Sequence, residues 1–476
     1  MIFPWIPKRI ERKECESMNL SQEEIGKILK RAQRSGADFA DIFVTKTLSG
    51  TVAAEDKKIE HFYRGSDEGA GIRVMKGDFS SYFYTNDLSE KSLLSLAEKA
   101  ADSIGSPANG DVATYGFTVQ KQPAKDAEIF DLERIGAFIR EVNSYAWDQS
   151  PLLQQVTLGY GDVRKELLIA NTDGVFAQDC RSRKRFYVRV IAQKNGVVQT
   201  ALSTLGDIIP EFQWNTEILC AKTDETIGRV LRLLDAKPAP SGPMTVVMSS
   251  SAGGTMVHEA CGHGLEADHV EKGLSVYKDR LGKKVASERI SVVDDATLEG
   301  HYGSFTFDDE GADGRKNVLI EDGVLKSYMY DYRTAKKYGK VTTGNGRRES
   351  YRYTPQVRMS NTYILPGNDR PADILADTKH GLFVKKMGGG QVNTTNGDFV
   401  FEVSEGYLIE HGEITTPVRN ATLIGNGPKT LSSVFAVGDD LGFAIGTCGK
   451  GGQSVPVGDA QPTLGLYDVI VGGTES

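Results

Sequence analysis

Three prolines within six residues, in Lys237-Pro238-Ala239-Pro240-Ser241-Gly242-Pro243, set the strongest limit on how this chain folds. Proline fixes φ and lacks an N–H, so neither a helix nor a central strand is expected to run through such a segment. It reads as a linker, and the texture of the sequence changes across it. Before it, Ser21-Gln22-Glu23-Glu24 has the form of a capping box, followed by apolar Ile25, Ile28, Leu29 and Ala32 at helical spacing and Gly36 as a stop. Strands are expected over 39–45, 71–75 and 79–85, and helices near 89–103, 131–144 and 223–235. A hairpin is expected where 185–193 faces 197–202 around Asn195-Gly196. After the linker, a strand over 244–248 leads through a Ser/Gly-rich turn into one helix, and short strands punctuated by glycine follow. The expectation is an α+β fold: a leader over 1–18, an N-terminal α+β domain over 19–236, and a mostly β domain over 244–476 that carries the single helix.

Composition excludes several classes. The chain of 476 residues holds 52 Gly but only 16 Pro and has no G-X-Y period, which points to many tight turns and away from collagen or a disordered linker. Acidic residues outnumber basic ones, 64 against 56, and the net charge of −8 argues against a nucleic-acid binder. No apolar run is long enough to span a membrane, and the proline-interrupted start, Met1 to Arg9, is a poor secretory signal. Five widely spaced cysteines, Cys15, Cys180, Cys220, Cys261 and Cys448, do not make a disulfide framework. A cytoplasmic protein with free thiols is expected.

The chemistry concentrates in one block. Three of the seven histidines fall within twelve residues: His258-Glu259-Ala260-Cys261-Gly262-His263-Gly264-Leu265-Glu266-Ala267-Asp268-His269. In the H-E-x-x-H motif two histidines four apart share one helix face and bind zinc, with Glu as general base. Here His258 and His263 are five apart. On a regular α-helix that is about 140° of rotation, which aims the rings away from each other. A π-helical turn absorbs one residue and restores a common face, and glycines beside His263 lower the cost of a distorted backbone. The spacing therefore predicts a widened turn between two imidazole ligands, with Glu259 as general base toward a metal-bound water.

The same block, His258-Glu259-Ala-Cys-Gly-His263-Gly-Leu-Glu-Ala-Asp, resembles the metal motif of the TldD/PmbA family of zinc metallopeptidases. The likeness continues through Thr343-Gly344-Asn345-Gly346-Arg347-Arg348, Arg358-Met359-Ser360-Asn361-Thr362 and Gly389-Gly390-Gln391-Val392. It ends with Cys448-Gly449-Lys450-Gly451-Gly452-Gln453-Ser454-Val455-Pro456-Val457-Gly458, so that it covers most of the chain. The histidine motif favours the metal-bearing TldD branch over the TldE or PmbA branch. The resemblance implies that Cys448 completes a zinc site with His258 and His263, although it lies 190 residues after His258. Two imidazoles, a thiolate and a water make an open catalytic set. Glu266, Asp268 and His269 compete as further ligands, and Cys261 is read as core-facing.

Two other signals are weaker. Gly449-Lys450-Gly451-Gly452 fails the phosphate-loop pattern, and the basic run Arg181 to Arg185 reads as a solvated strand edge. Arg347, Arg348, Tyr351, Arg352 and Arg358 are a different case: five such side chains within twelve residues can hold a peptide backbone or polarise its carbonyl. Of these Arg347, Arg348, Tyr351 and Arg358 are the substrate-binding candidates. The resulting expectation is a cytoplasmic Zn2+-dependent peptidase acting on unfolded or extended peptides, such as leader peptides or labile small proteins. The resemblance further implies a dimer, either of two copies or with a TldE/PmbA-like paralogue, and no nucleic-acid or membrane partner is expected. The alternative is a non-catalytic, chaperone-like peptide-binding subunit whose zinc is structural and closed by a fourth protein ligand.

Overall fold

The computed structural model describes residues 12–13, 18, 20–105, 116–121, 127–128, 131–207 and 215–473. Most of the expected leader lies outside the described residues. The fold is α+β with a strand-rich C-terminal part, as the sequence pattern predicts.

The first part is built on one sheet. Its strands are β1 (Phe39–Glu55), β2 (Lys58–Lys76), β3 (Phe79–Thr85), β4 (Val119–Lys121), β5 (Leu153–Asn171), β6 (Val175–Lys194) and β7 (Val197–Asp207). They lie in the order β3-β2-β1-β5-β6-β4, with β7 also paired to β6. Helices α1 (Gln22–Ala32), α2 (Glu90–Asp102), α3 (Leu132–Asp148) and α4 (Thr216–Leu234) accompany it. The capping box at α1 is present: the Ser21 hydroxyl accepts from the Glu24 N–H and the Glu24 carboxylate accepts from the Ser21 N–H, a pairing worth about 1 kcal/mol. Ile25, Ile28 and Leu29 are fully buried in a cluster with Ile42, Val44 and Ile72 of the sheet. Each such burial contributes roughly 1.5–3 kcal/mol.

Past residue 236 two large sheets form, beside a small one in which Gly346–Arg347 pairs with Gln356–Val357. One contains β8 (Gly242–Met248), β12 (His380–Val392), β13 (Asp398–Glu410), β14 (Glu413–Arg419), β15 (Ala421–Asn426), β16 (Val434–Val437) and β19 (Leu464–Gly472). In it β12, β8, β19, β15 and β13 are paired in succession, and β13 pairs β12 again, so the sheet closes on itself. The other contains β9 (Val292–Asp295), β10 (Lys316–Glu321), β11 (Asn361–Ile364), β17 (Gly442–Lys450) and β18 (Gln453–Gln461), ordered β10-β9-β11-β18-β17, which leaves β17 at an edge. The proline segment is more ordered than a linker. Lys237–Pro238 pairs in parallel with Val418 and Arg419, and β8 starts at Gly242, two residues before the expected Met244. Pro243 is tolerated because it sits at the strand's beginning.

The two parts meet through buried ion pairs. Arg73 binds Asp41 and, at 2.7 Å, Glu310; Arg181 binds Asp179 at 2.8 Å and Asp309 at 2.7 Å. Arg183 donates to the carbonyls of Tyr302 (2.9 Å) and Ser304 (3.3 Å). The basic run is thus not a solvated edge: it is spent on acids and carbonyls of the 302–309 loop, which the sequence could not place beside it. One expectation about the cysteines also changes. Cys180 is disulfide-bonded, while Cys220, Cys261 and Cys448 are free. Spacing along the chain does not show which thiols the fold brings together.

A further tie fixes the helical segment Ala267–Glu271 to helix Tyr332–Lys337. Glu271 accepts from Arg333 and Lys337, each at 2.6 Å. These bonds, the one from Arg333 foremost, hold its carboxyl at about 2 against an ordinary 4.5. A depressed acid stabilises the fold above its unfolded pKa, and that contribution is lost as pH falls through the folded value. Glu271→Gln is therefore expected to cost about 1 kcal/mol at neutral pH, and the difference from wild type should fade between about pH 4.5 and 2. Denaturant titrations of both proteins across that range check it.

Candidate metal centre

The site starts where β8 ends. After Met248 the chain turns through Ser250–Ala252 and enters a broken helix: an α-turn at Thr255–Val257, a π-turn at His258–Gly262, a 3-10 turn at His263–Leu265 and a last α-turn at Ala267–Glu271. The widened turn is visible in its hydrogen bonds. The His258 N–H donates four residues back to Gly254, at 3.0 Å, whereas the His263 N–H donates five back to the carbonyl of His258. The extra residue brings both imidazoles to one side, with ring centroids 5.0 Å apart and planes nearly perpendicular at 89°.

Cys448 comes from the edge strand β17. The sheet carries its Sγ to 3.3 Å from His263 Nε2. His258, His263 and Cys448 are all buried, and their ligating atoms lie within 4.8 Å of one another. Each histidine has a carboxylate behind it. His258 Nδ1 meets Asp459 Oδ1 at 2.7 Å, and His263 Nδ1 meets Glu266 Oε2 at 3.0 Å. Nδ1–H donation to those carboxylates leaves both Nε2 atoms as lone-pair donors facing the thiol. Lys450, two residues past Cys448 on the same strand, reaches Glu266 Oε2 at 3.0 Å and Asp268 Oδ1 at 2.7 Å.

The electrostatics follow from this packing. Burial opposes a charge on Cys448, but bonds from His258 and His263 overcome it and lower the thiol to about 5. Burial likewise opposes protonation of the histidines. Asp459 and Cys448 still raise His258 well above its ordinary value, and Glu266 with Cys448 raises His263 to about 9. For Glu266, Lys450 and His263 outweigh burial and hold it at about 2. The pocket thus already favours a thiolate among positive groups, and a divalent cation would replace the protons shared there. Two imidazole nitrogens and a thiolate with carboxylates orienting the rings form a donor set suited to a borderline-soft ion such as zinc. Glu259, half-buried beside His258, has no hydrogen-bond partner among the described residues, and burial raises its pKa.

The remaining sequence candidates lie elsewhere in the network. Glu266 and Asp268 face Lys450, and His269 Nδ1 lies 3.1 Å from the His263 carbonyl. Cys261 is fully buried and donates its S–H to the Val257 carbonyl at 3.2 Å, and burial pushes its pKa up to about 12. Arg347, Arg348, Tyr351 and Arg358 are all buried. Arg347 donates to Met359 and Pro456 carbonyls, and Arg348 to the carbonyl of Asp309. Tyr351 donates to Asp67 at 3.2 Å. Arg358, at 0 % exposure, donates to the carbonyls of Gln453 and of Cys448 itself. Arg352 is exposed and pairs with Asp67 at 2.6 Å. Asp459 was not legible in the sequence: nothing local marks it, and the parallel pairing of β18 with β11 is what brings that strand beside the helix. Glu266 carries a signal, since three residues after His263 on a helical turn is a natural place for an orienting acid.

Comparison with known proteins adds independent support. Residues 40–104 match the pattern described as PmbA/TldA metallopeptidase domain 1, 125–227 the central domain, and 241–473 the C-terminal domain. A Haemophilus influenzae protein named "Metalloprotease TldD homolog" is 37% identical over 472 residues, covering 96% of this chain and 97% of its own. A Saccharolobus solfataricus protein named "Zinc metalloprotease TldD homolog" is 28% identical over 460 residues, covering 94% and 99%. The crystal structure of TldE from Thermococcus kodakarensis has the same fold, with a TM-score of 0.72 at 18% identity over 94% of this chain and 100% of that one. With three successive domains matched and the likeness running nearly end to end, the chain belongs to the TldD/PmbA metallopeptidase family.

Proposed function

We propose that this chain is a zinc-dependent peptidase acting on unfolded or extended peptides, with His258, His263 and Cys448 as the metal ligands and Glu259 as the general base. The observation that carries the reading is the convergence of two histidines and a thiol from distant parts of the chain, beside a carboxylate not spent on the protein. Bound there, zinc would supply a Lewis acid that polarises a carbonyl and acidifies a coordinated water. Asp459 and Glu266 hold the two rings in the tautomer that presents Nε2. Glu259, its affinity for a proton raised by burial, takes the proton of the attacking water and delivers it to the leaving amine.

An edge strand supports the substrate class. β17 has an unpaired side in its own sheet, and Cys448 lies on it, so an extended peptide could pair there close to the ligands. Arg347, Arg348, Tyr351 and Arg358 are assigned to the frame and not to substrate, because they are buried and their terminal guanidinium nitrogens and hydroxyl are bonded internally; Arg358 fixes the strand that carries Cys448. A closed structural zinc in a chaperone-like subunit would need a fourth protein ligand. Against that alternative, Glu266 and Asp268 are engaged by Lys450, and His269 lies against a carbonyl.

The proposal includes a dimer, of two copies or with a TldE/PmbA-like paralogue, and a cytoplasmic setting in which Cys448 stays reduced. Among the described residues no helix is long and apolar enough to cross a membrane. Removing metal is the test. Hydrolysis of an unfolded peptide should vanish after dialysis against a chelator and return with about one Zn2+ per chain. Activity that survives complete removal of metal would refute the reading.

A further inference from the structure

The π-turn that aligns the histidines needs a reason to persist. Such turns are rare and less stable than the α-turn they interrupt. If the turn relaxed by one residue, His263 would rotate about 100° around the axis and its ring would leave the common face. Within the turn, the His263 N–H bond to the His258 carbonyl and the Cys261 S–H bond to the Val257 carbonyl oppose this, and Glu266 holds the ring. A further restraint comes from a segment that follows it.

Ser275 and Tyr277 bracket His263 on both sides. Ser275 Oγ donates to the carbonyl of Gly264, one residue after His263, at 2.5 Å. Tyr277 OH donates to the carbonyl of Ala260, three residues before it and inside the π-turn, at 2.9 Å. The Tyr277 ring lies against Gly264 so closely that a Cβ there would stand 2.7 Å from a ring carbon. The bracket is itself anchored. Tyr277 N–H donates to Ser275 Oγ (3.0 Å), Tyr277 O accepts from Tyr328 OH (2.7 Å), and Val276 N–H donates to the Thr394 carbonyl (2.9 Å). Gly427 packs against the same carbonyl, so near that a Cβ would lie 2.3 Å from the Ala260 oxygen. That carbonyl is thus packed by Gly427 as well as bonded by Tyr277.

We infer that Ser275 and Tyr277 form a clasp that holds the π-turn open, and that Tyr277 is a positioning residue for the metal centre. It sets the register of His263 without touching the metal or the substrate. This rests on the proposed metal reading, but the clasp itself can be tested without metal.

The test compares wild type with Tyr277→Phe, with Ser275→Ala as a second variant and Tyr82→Phe as a control. Tyr82, on β3 of the first sheet, also donates its hydroxyl to a carbonyl, that of Tyr351, at 2.7 Å. Zinc affinity is read by chelator competition, the ligand set by the visible spectrum of the Co2+-substituted protein, and the turn by amide hydrogen exchange over 258–265 in metal-free protein. Tyr277→Phe and Ser275→Ala should weaken zinc binding roughly 10–100-fold, alter the Co2+ spectrum and speed exchange. Tyr82→Phe should lower the melting temperature and leave all three unchanged. Unaltered affinity, spectrum and exchange in both clasp variants would overturn the inference. Should wild type bind no zinc, the metal reading falls alone, and exchange still decides: faster in the clasp variants supports the clasp, unchanged refutes it.

Discussion

Replacing Glu259 by Gln is expected to lower peptide hydrolysis by about 10²–10⁴-fold while leaving zinc content unchanged. Gln keeps the volume and the half-buried position of the side chain but cannot take a proton. Glu259 is next to a ligand in sequence, yet its own carboxylate is absent from the converging donor group. The nearby charges of His258 and His263 act to lower its pKa, and burial outweighs them. A base raised in this way works closer to neutral pH than an exposed Glu would. Steady-state rates on an unfolded peptide, with metal measured in the same samples, separate the outcomes. Unchanged rates would remove Glu259 from the mechanism, and lost zinc would make it a ligand.

The second large effect is expected at Cys448. Cys448→Ala should weaken zinc binding by at least about 100-fold, beyond the roughly 10–100-fold cost of losing an orienting partner. The reason is electrostatic as well as geometric. The thiolate is the only anion in the ligand group, and it answers two histidines whose affinity for positive charge is raised by the carboxylates behind them. Without it the pocket holds two imidazoles and little to bind a cation tightly. The variant should still fold, because Cys448 sits in a strand paired along its whole length with β18. Metal analysis after dialysis, together with circular dichroism, checks both halves. Zinc retained at wild-type affinity would take Cys448 out of the site.

How much of this was legible in the sequence depends on how local each feature is. The His258–His263 spacing demanded a widened turn, and that follows from helix geometry alone. Cys448 was reachable only through family resemblance, since no local rule joins residues 185 apart. Asp459 was not reachable at all, because pairing of distant strands places it. The arginines near 350 show a related limit. Sequence shows a cluster of donors but not the carbonyls of Met359, Pro456 and Cys448 that absorb them.

The fold shows the same division. The hairpin at Asn195-Gly196 and the capped helix after Ser21 were readable from turn and cap chemistry. The first hairpin was seen only in part. Strands were expected over 39–45 and 71–75, but β1 and β2 extend to Glu55 and back from Lys58 around Asp56 and Lys57, both at positive φ. Residues 60–64 are exposed, so the alternation that betrays a half-buried strand is missing there. The short pairing of Lys237–Pro238 is not legible locally, because its partners, Val418 and Arg419, lie far along the chain.

The most direct measurement is zinc K-edge X-ray absorption on protein purified without chelator. About one zinc per chain with a single sulfur neighbour, the remaining scatterers being nitrogen and oxygen that include two imidazoles, is the expected result, and the sulfur signal should disappear in Cys448→Ala. A protein that binds no zinc, or a zinc spectrum without sulfur, would contradict the convergence of His258, His263 and Cys448 on one ion.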